Sequence, residues 1–211
     1  DNRFQLEIIA FGMHLQNGQG NTINEIKKDE YKVIHQIGQM PVEDRILDIS
    51  KGYGRLVVAF ADFWNQNKFD LVFALGDRWE MSAAIQASIP FELRIAHIHG
   101  GETTLGSTDN IYRHQITLAS TYHFTAAEEF SERVKTILSV DKNIHTVGSI
   151  SLEGLDKLKL PEWNLVIKQF NIPFDDFILV TFHPESIGVE RNKEYSQVVY
   201  DTLEVLAADY N

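Results

Sequence analysis

Three observations predict an α/β fold, a parallel sheet covered by helices on both faces. Short apolar runs at Leu71–Leu75, Arg94–Ile98 and Phe177–Phe182 lack the alternation of a half-solvated strand. Stretches of helical periodicity separate them. Each run also leads directly into charged or imidazole groups: Gly76-Asp77-Arg78, His99-Gly100-Gly101-Glu102 and His183-Pro184-Glu185. Polar chemistry placed just past strand ends is where an open α/β sheet builds its site.

Taken in order, Phe4–Phe11 is a strand that stops at Gly12, and the Asn/Gly-rich loop after it is a turn. Thr22-Ile23-Asn24-Glu25 has the spacing of a capping box and predicts a helix start. A short strand follows at Tyr31–Ile37. Apolar residues at Ile46, Ile49, Leu56, Ala59, Phe60 and Phe63 predict helix between Val42 and Asn67, with Gly52 and Gly54 as a break. Leu71–Leu75 reads as a fully buried strand. Glu80–Ser88 is a helix whose Ala83, Ala84 and Ala87 allow close packing on the sheet. Helices are also predicted over Asp109–Ala119 and Ala127–Leu138, and a strand over Ile144–Val147. A boundary is expected between Gly148 and Pro161, where a Lys/Leu-rich connector ends the alternation. This divides the chain into residues 1–150 and 151–211. The second part contributes a helix near Trp163–Phe170, the Phe177–Phe182 strand and a helix from Lys193 to Ala208.

Composition narrows the function classes. The chain has 211 residues, 44% of them hydrophobic, enough for a sizeable core. With no cysteine, disulfides and thiolate metal sites are excluded, which fits a reducing cytoplasm. Neither a secretory leader nor an apolar run of membrane-spanning length is found, so no membrane partner is expected. The formal charge of −11 argues against nucleic acid, which is held through cationic contacts to phosphate. An anionic substrate would have to be met by local positive charge.

Each candidate site residue has a plainer reading beside the functional one. Asp77 is either a cleft carboxylate or the N-cap of the next helix. Arg78 either binds phosphate or pairs with Glu80 or Asp77, and Glu80 itself suits a helix first turn. His97 and His99 alternate on a strand and would share a face. No carboxylate stands at ligand spacing from them, so they read as hydrogen-bonded core and no metal is expected. Glu102 follows two glycines, which would let the backbone approach a ligand. Asp109 opens a helix and can pair with Arg113 at i,i+4. His183, held at a strand end by Pro184, is well placed for proton transfer at neutral pH. His14, at the end of the first strand, has similar geometry. His35, His123 and His145 read as structural.

The words Gly12-Met-His-Leu15, Thr22-Ile-Asn-Glu25, Gly76-Asp-Arg78 with Glu80-Met81, His97-Ile-His-Gly-Gly-Glu102, Asp109 with Arg113-His114, His123-Phe124, Val147-Gly148 and Thr181-Phe-His-Pro184 extend along nearly the whole chain. In this order they resemble the hydrolysing UDP-N-acetylglucosamine 2-epimerases, the sialic-acid and legionaminic-acid branch in particular. The resemblance implies a GT-B-like fold of two Rossmann-like halves, a UDP-sugar substrate, no cofactor and a homo-oligomer. It also implies a fragment truncated at both ends, because family chains open with a further strand and continue past Asn211. Asp77, Glu102, Asp109, His183 and His99 become the implied catalytic residues, with Arg78, Arg113 and His14 binding substrate. At His99 some family members carry a glutamate, so the proton-transfer role falls to His99 or to Glu102. A glycosyltransferase of the same fold and a non-catalytic nucleotide-sugar binder are the competing readings.

Overall fold

The computed structural model describes residues 3–16, 21–29, 31, 33–38, 45–172 and 177–207. It divides into two compact units, Asp1–Glu102 with Asp109–Ser149, and Thr103–Thr108 with Ile150–Asn211.

The first unit alternates strand and helix throughout. Its strands are β1 (Ile8–Phe11), β2 (Val33–Ile37), β3 (Val72–Leu75), β4 (Ile95–Ile98), β5 (Tyr122–Thr125) and β6 (Ile144–Thr146). Its helices are α1 (Ile23–Lys28), α2 (Ile46–Gln66), α3 (Trp79–Ser88), α4 (Asp109–Ala119) and α5 (Glu128–Leu138). All pairings are parallel: β1 with β2 in one sheet, and β3-β4-β5-β6 in sequential order in a second. The fold is α/β.

Two apolar clusters hold this unit. In one, Leu56, Phe60, Phe63 and Trp64 of α2 pack on Trp79, Ala83, Ala84 and Ala87 of α3. The three alanines let the helices approach, and the Trp64 indole N–H donates to the Ala84 carbonyl at 3.0 Å. In the other, Ile85 and Ile116 of α3 and α4 cover Ala74 and Ile95 of β3 and β4.

Several expectations need correction. Helix α2 runs unbroken through Gly52 and Gly54. Gly52 is buried on the same apolar stripe as Leu56 and Phe60, and that packing outweighs the intrinsic cost of glycine. Strand β3 is not fully buried. Only Ala74 is inaccessible, while Phe73 and Leu75 are 58% and 50% exposed, because they point away from the face that α3 and α4 cover. Thr22 does precede helix α1, but its side chain makes no cap; the hydroxyl is instead 2.7 Å from His14 Nδ1. Strand β5 is absent from the sequence reading because its inward residues are His123 and Thr125, while Tyr122 and Phe124 face outward. Polar side chains therefore stand where apolar ones mark a buried strand.

The second unit contains α6 (Trp163–Phe170) and α7 (Asn192–Leu206) with short 3-10 turns. Residues Thr103–Thr108 join it through hydrogen bonds: the Ser186 and Ile187 amides donate to the Gly106 carbonyl at 2.9 and 3.1 Å, and the Thr108 amide donates to Ser186 Oγ at 3.0 Å. The expected strand at Phe177–Phe182 is not formed. This unit offers no second strand among its described residues, so the backbone groups of the run have no ladder to enter.

Candidate active site

The C-terminal ends of β3 and β4 lie side by side, with Leu75 in register with Ile98 and the Gly76 amide donating to the Ile98 carbonyl at 3.1 Å. Each chain then leaves its strand through a residue of positive φ. Gly76 does so at +83°, and His99 at +64°. For a histidine this left-handed backbone is unfavourable, a cost that surrounding structure must hold in place.

The turn after β3 delivers Asp77. Its carboxylate accepts from Arg113 Nη2, and the Arg113 guanidinium is buried and also reaches Asn110 Oδ1 at 3.4 Å. Arg113 thus directs its charge to Asp77 across the sheet end, 36 residues away along the chain. The reason is helix position: α4 packs against the sheet, and Arg113 lies on its buried side. Arg113 Nε is buried without a partner among the described residues.

Arg78 forms a two-pronged pair with Glu80, each contact 3.2 Å, and its Nη2 lies 3.6 Å from Met13 Sδ. Burial of the guanidinium works against its charge, but the Glu80 hydrogen bond and the fields of Glu80, Asp109 and Asp77 outweigh it and raise its pKa. Glu80 is buried and packs over Gly12, where an added Cβ would come 3.2 Å from Glu80 Cγ. The end of β1 and the β3 turn therefore meet through Gly12, Met13, Arg78 and Glu80. His14 is exposed beside Met13 and bonded to Thr22.

His97 and His99 do not share a face. Strand β4 stops at Ile98, and His99 follows it with a positive φ, so the strand alternation that would place its ring on the face of the buried His97 does not extend to it. His99 Nδ1 donates to Glu102 Oε1 at 2.6 Å, which leaves Nε2 as the ring nitrogen to take or release a proton. The two intervening glycines serve packing: an added Cβ on Gly101 would come 2.3 Å from the Phe130 carbonyl oxygen, and one on Gly100 would crowd His97. Arg133 Nη1 caps the Gly101 carbonyl.

Asp109 opens α4 and is half-buried. His183 belongs to the second unit, where it is exposed. The turn just after it is held by Asn192, which accepts from the Glu185 amide at 2.9 Å and donates to the Glu185 carbonyl at 2.8 Å. Among the described residues no group of three His, Cys, Asp or Glu side chains is arranged to hold a metal. His35 pairs with Glu7 at 3.0 Å, and His145 stacks on Phe124. Burial lowers the pKa of both His97 and His123 to about 4. His114 is also lowered, by burial and then by Arg113 and Arg133.

A parallel sheet with ion-paired acids and a histidine–glutamate pair at adjacent strand ends makes this an α/β protein, and its likeness to solved structures gives the fold as GT-B-like. The chain matches UDP-N-acetylglucosamine 2-epimerase from Neisseria meningitidis, solved with UDP-GlcNAc, at TM-score 0.71 and 17% identity, covering 90% of this chain and 53% of that one. The Methanocaldococcus jannaschii UDP-GlcNAc 2-epimerase, in complex with UDP-GlcNAc and UDP, matches at TM-score 0.68 and 18% identity, covering 87% and 50%. The chain belongs to the UDP-N-acetylglucosamine 2-epimerase family, whose pattern it matches over residues 1–211. It is 33% identical over 187 residues to polysialic acid biosynthesis protein P7 of Escherichia coli, covering 88% of this chain and 48% of that protein. It is 28% identical to the hydrolyzing GDP/UDP-N,N'-diacetylbacillosamine 2-epimerase of Campylobacter jejuni, covering 98% and 54%. The chain spans about half the length of these relatives.

Proposed function

We propose that the protein containing this chain is a hydrolysing 2-epimerase that converts UDP-N-acetylglucosamine, or a related UDP-2-acetamido sugar, into UDP and the free 2-epimeric sugar. The observation that carries the reading is the His99–Glu102 pair beside the Asp77–Arg113 pair, at neighbouring strand ends of a chain in this family.

The chemistry requires such groups. The C2 proton of the sugar is not acidic, so its removal must accompany departure of the anomeric C1–O bond. A base takes the C2 proton, the C2–H electrons form the C1–C2 double bond, and UDP leaves with the C1–O pair. Water then adds its oxygen to C1 while a proton returns to the opposite face of C2. Two proton carriers are needed, each contributing on the order of 100- to 10,000-fold. In this reading His99, relayed by Glu102, is one carrier, and Asp77, oriented by Arg113, and Asp109 supply the other. Arg78 and His14 contact the substrate, with Arg78 offsetting diphosphate charge. His183 is read as a further proton-transfer residue. The two compact units are read as a Rossmann-like N-terminal domain and the beginning of a second one, and the whole protein as a cytoplasmic homo-oligomer without a cofactor.

The test is product analysis with the full-length protein. UDP-N-acetylglucosamine in deuterium oxide should give UDP and free N-acetylmannosamine with one deuterium at C2. Transfer of the sugar to an acceptor, or binding without turnover, would remove the proposal. The relatives differ in the substrates they are named for, so a UDP-diacetylbacillosamine assay run alongside decides which 2-acetamido sugar is preferred.

A further inference from the structure

Resting on that reading, we propose that His97 is a positioning residue: a neutral imidazole, protonated on Nε2, that ties helix α4 to the peptide group carrying Asp77.

His97 is wholly buried, and both ring nitrogens are engaged. Nε2 lies 2.9 Å from the Gly76 carbonyl oxygen and Nδ1 lies 3.1 Å from Thr117 Oγ1. A carbonyl can only accept, so Nε2 carries the hydrogen. The Thr117 hydroxyl then donates to the bare Nδ1. Burial, and after it the neighbouring His123, Arg113 and His99, disfavour a second proton on the ring. Gly100 closes over the pair: an added Cβ would stand 3.0 Å from Nδ1 and 3.3 Å from Thr117 Oγ1.

What this tether holds follows from the planarity of the peptide bond. The Gly76 carbonyl and the Asp77 nitrogen and Cα lie in one rigid plane. Fixing that oxygen therefore fixes the base from which the Asp77 side chain projects. The Gly76 amide is anchored as well, by the Ile98 carbonyl. Helix α4 grips the same turn twice. Arg113 holds the Asp77 carboxylate, and Thr117, four residues on along the same helix face, holds the peptide through His97. A carboxylate meant to remove or guide a proton needs this kind of support, since a displacement near 1 Å can cost about a hundredfold in rate.

The experiment compares His97→Leu with His97→Gln in the full-length protein, because the Gln side-chain amide can still donate to the Gly76 carbonyl. In H97L, kcat with UDP-N-acetylglucosamine should fall by about ten- to a hundredfold with KM within about threefold, and the Gly76 amide should exchange with solvent at least about ten times faster. H97Q should recover most of both. Nitrogen-15 imidazole shifts of the wild type should report the Nε2–H tautomer at neutral pH. Where H97L does not fold, Thr117→Val gives the same readouts, in the same direction. Unchanged kcat, a fall in kcat without faster Gly76 exchange, or the Nδ1–H tautomer would each overturn the assignment. If the wild type shows no turnover at all, the enzymatic reading fails, while the exchange and tautomer measurements still decide the tether.

Discussion

The two units are built from the same alternation of apolar runs and amphipathic helices, yet they differ in what those elements bury. Among the described residues, the first has 17 buried hydrophobic residues and a four-stranded parallel sheet, and the second has no buried residue, although α6 and α7 are well formed. The difference separates two kinds of secondary structure. A helix forms its backbone hydrogen bonds within its own segment, whereas a parallel strand has partners only when another strand lies beside it.

The largest test of this contrast is a core deletion in the first unit. Phe60→Ala should cost about 3–5 kcal/mol, since Phe60 is 1% exposed and contacts Phe11, Phe63 and Trp64. Denaturant unfolding followed by near-ultraviolet signals reads it directly, and a loss below about 1 kcal/mol would refute the packing described. Acid provides the second test. His97 and His123 titrate near pH 4 in the folded protein instead of at the ordinary 6.5, so between those values the unfolded chain binds protons that the folded one does not. Stability should therefore fall as pH drops from 6.5 to 4, by up to roughly 3 kcal/mol for each histidine. A flat pH profile over that window would mean that these rings are solvated. Third, His183→Ala in the full-length protein should lower turnover by about a hundredfold with no change in melting temperature, because the residue is exposed in the second unit. Near-normal turnover would confine proton transfer to the first unit. The smallest effect is expected for Leu165→Ala in α6, where the side chain is 60% exposed, within about 0.5 kcal/mol.

Helices were the most legible part of the sequence. Trp163–Phe170 and Asp109–Ala119 coincide with their expected limits, because periodicity and end residues are local information. Strands were less so. The apolar content of Leu71–Leu75 marks a strand, but which of its side chains are covered depends on helices brought in by distant sequence. Strand β5 hides behind inward-facing polar groups, of which Thr125 is satisfied at 2.6 Å by Ser131 of α5. At the candidate site, position just past a strand pointed to Asp77, His99 and Glu102, but not to the pairs they make. Arg113 meets Asp77 across 36 residues, and Thr117 meets His97 across 20. A threonine directly after Ile116 in the last turn of α4 was the available signal for the second contact.

The left-handed backbone at His99 has a consequence for engineering. Glycine adopts that conformation without steric penalty, so for backbone conformation alone imidazole is the poorer occupant of position 99. Thermal selection applied to this chain would accordingly be drawn toward glycine or asparagine there, gaining on the order of 1 kcal/mol. Such variants would melt later while losing the ring that pairs with Glu102, so heat resistance and turnover would be bred in opposite directions at a single codon.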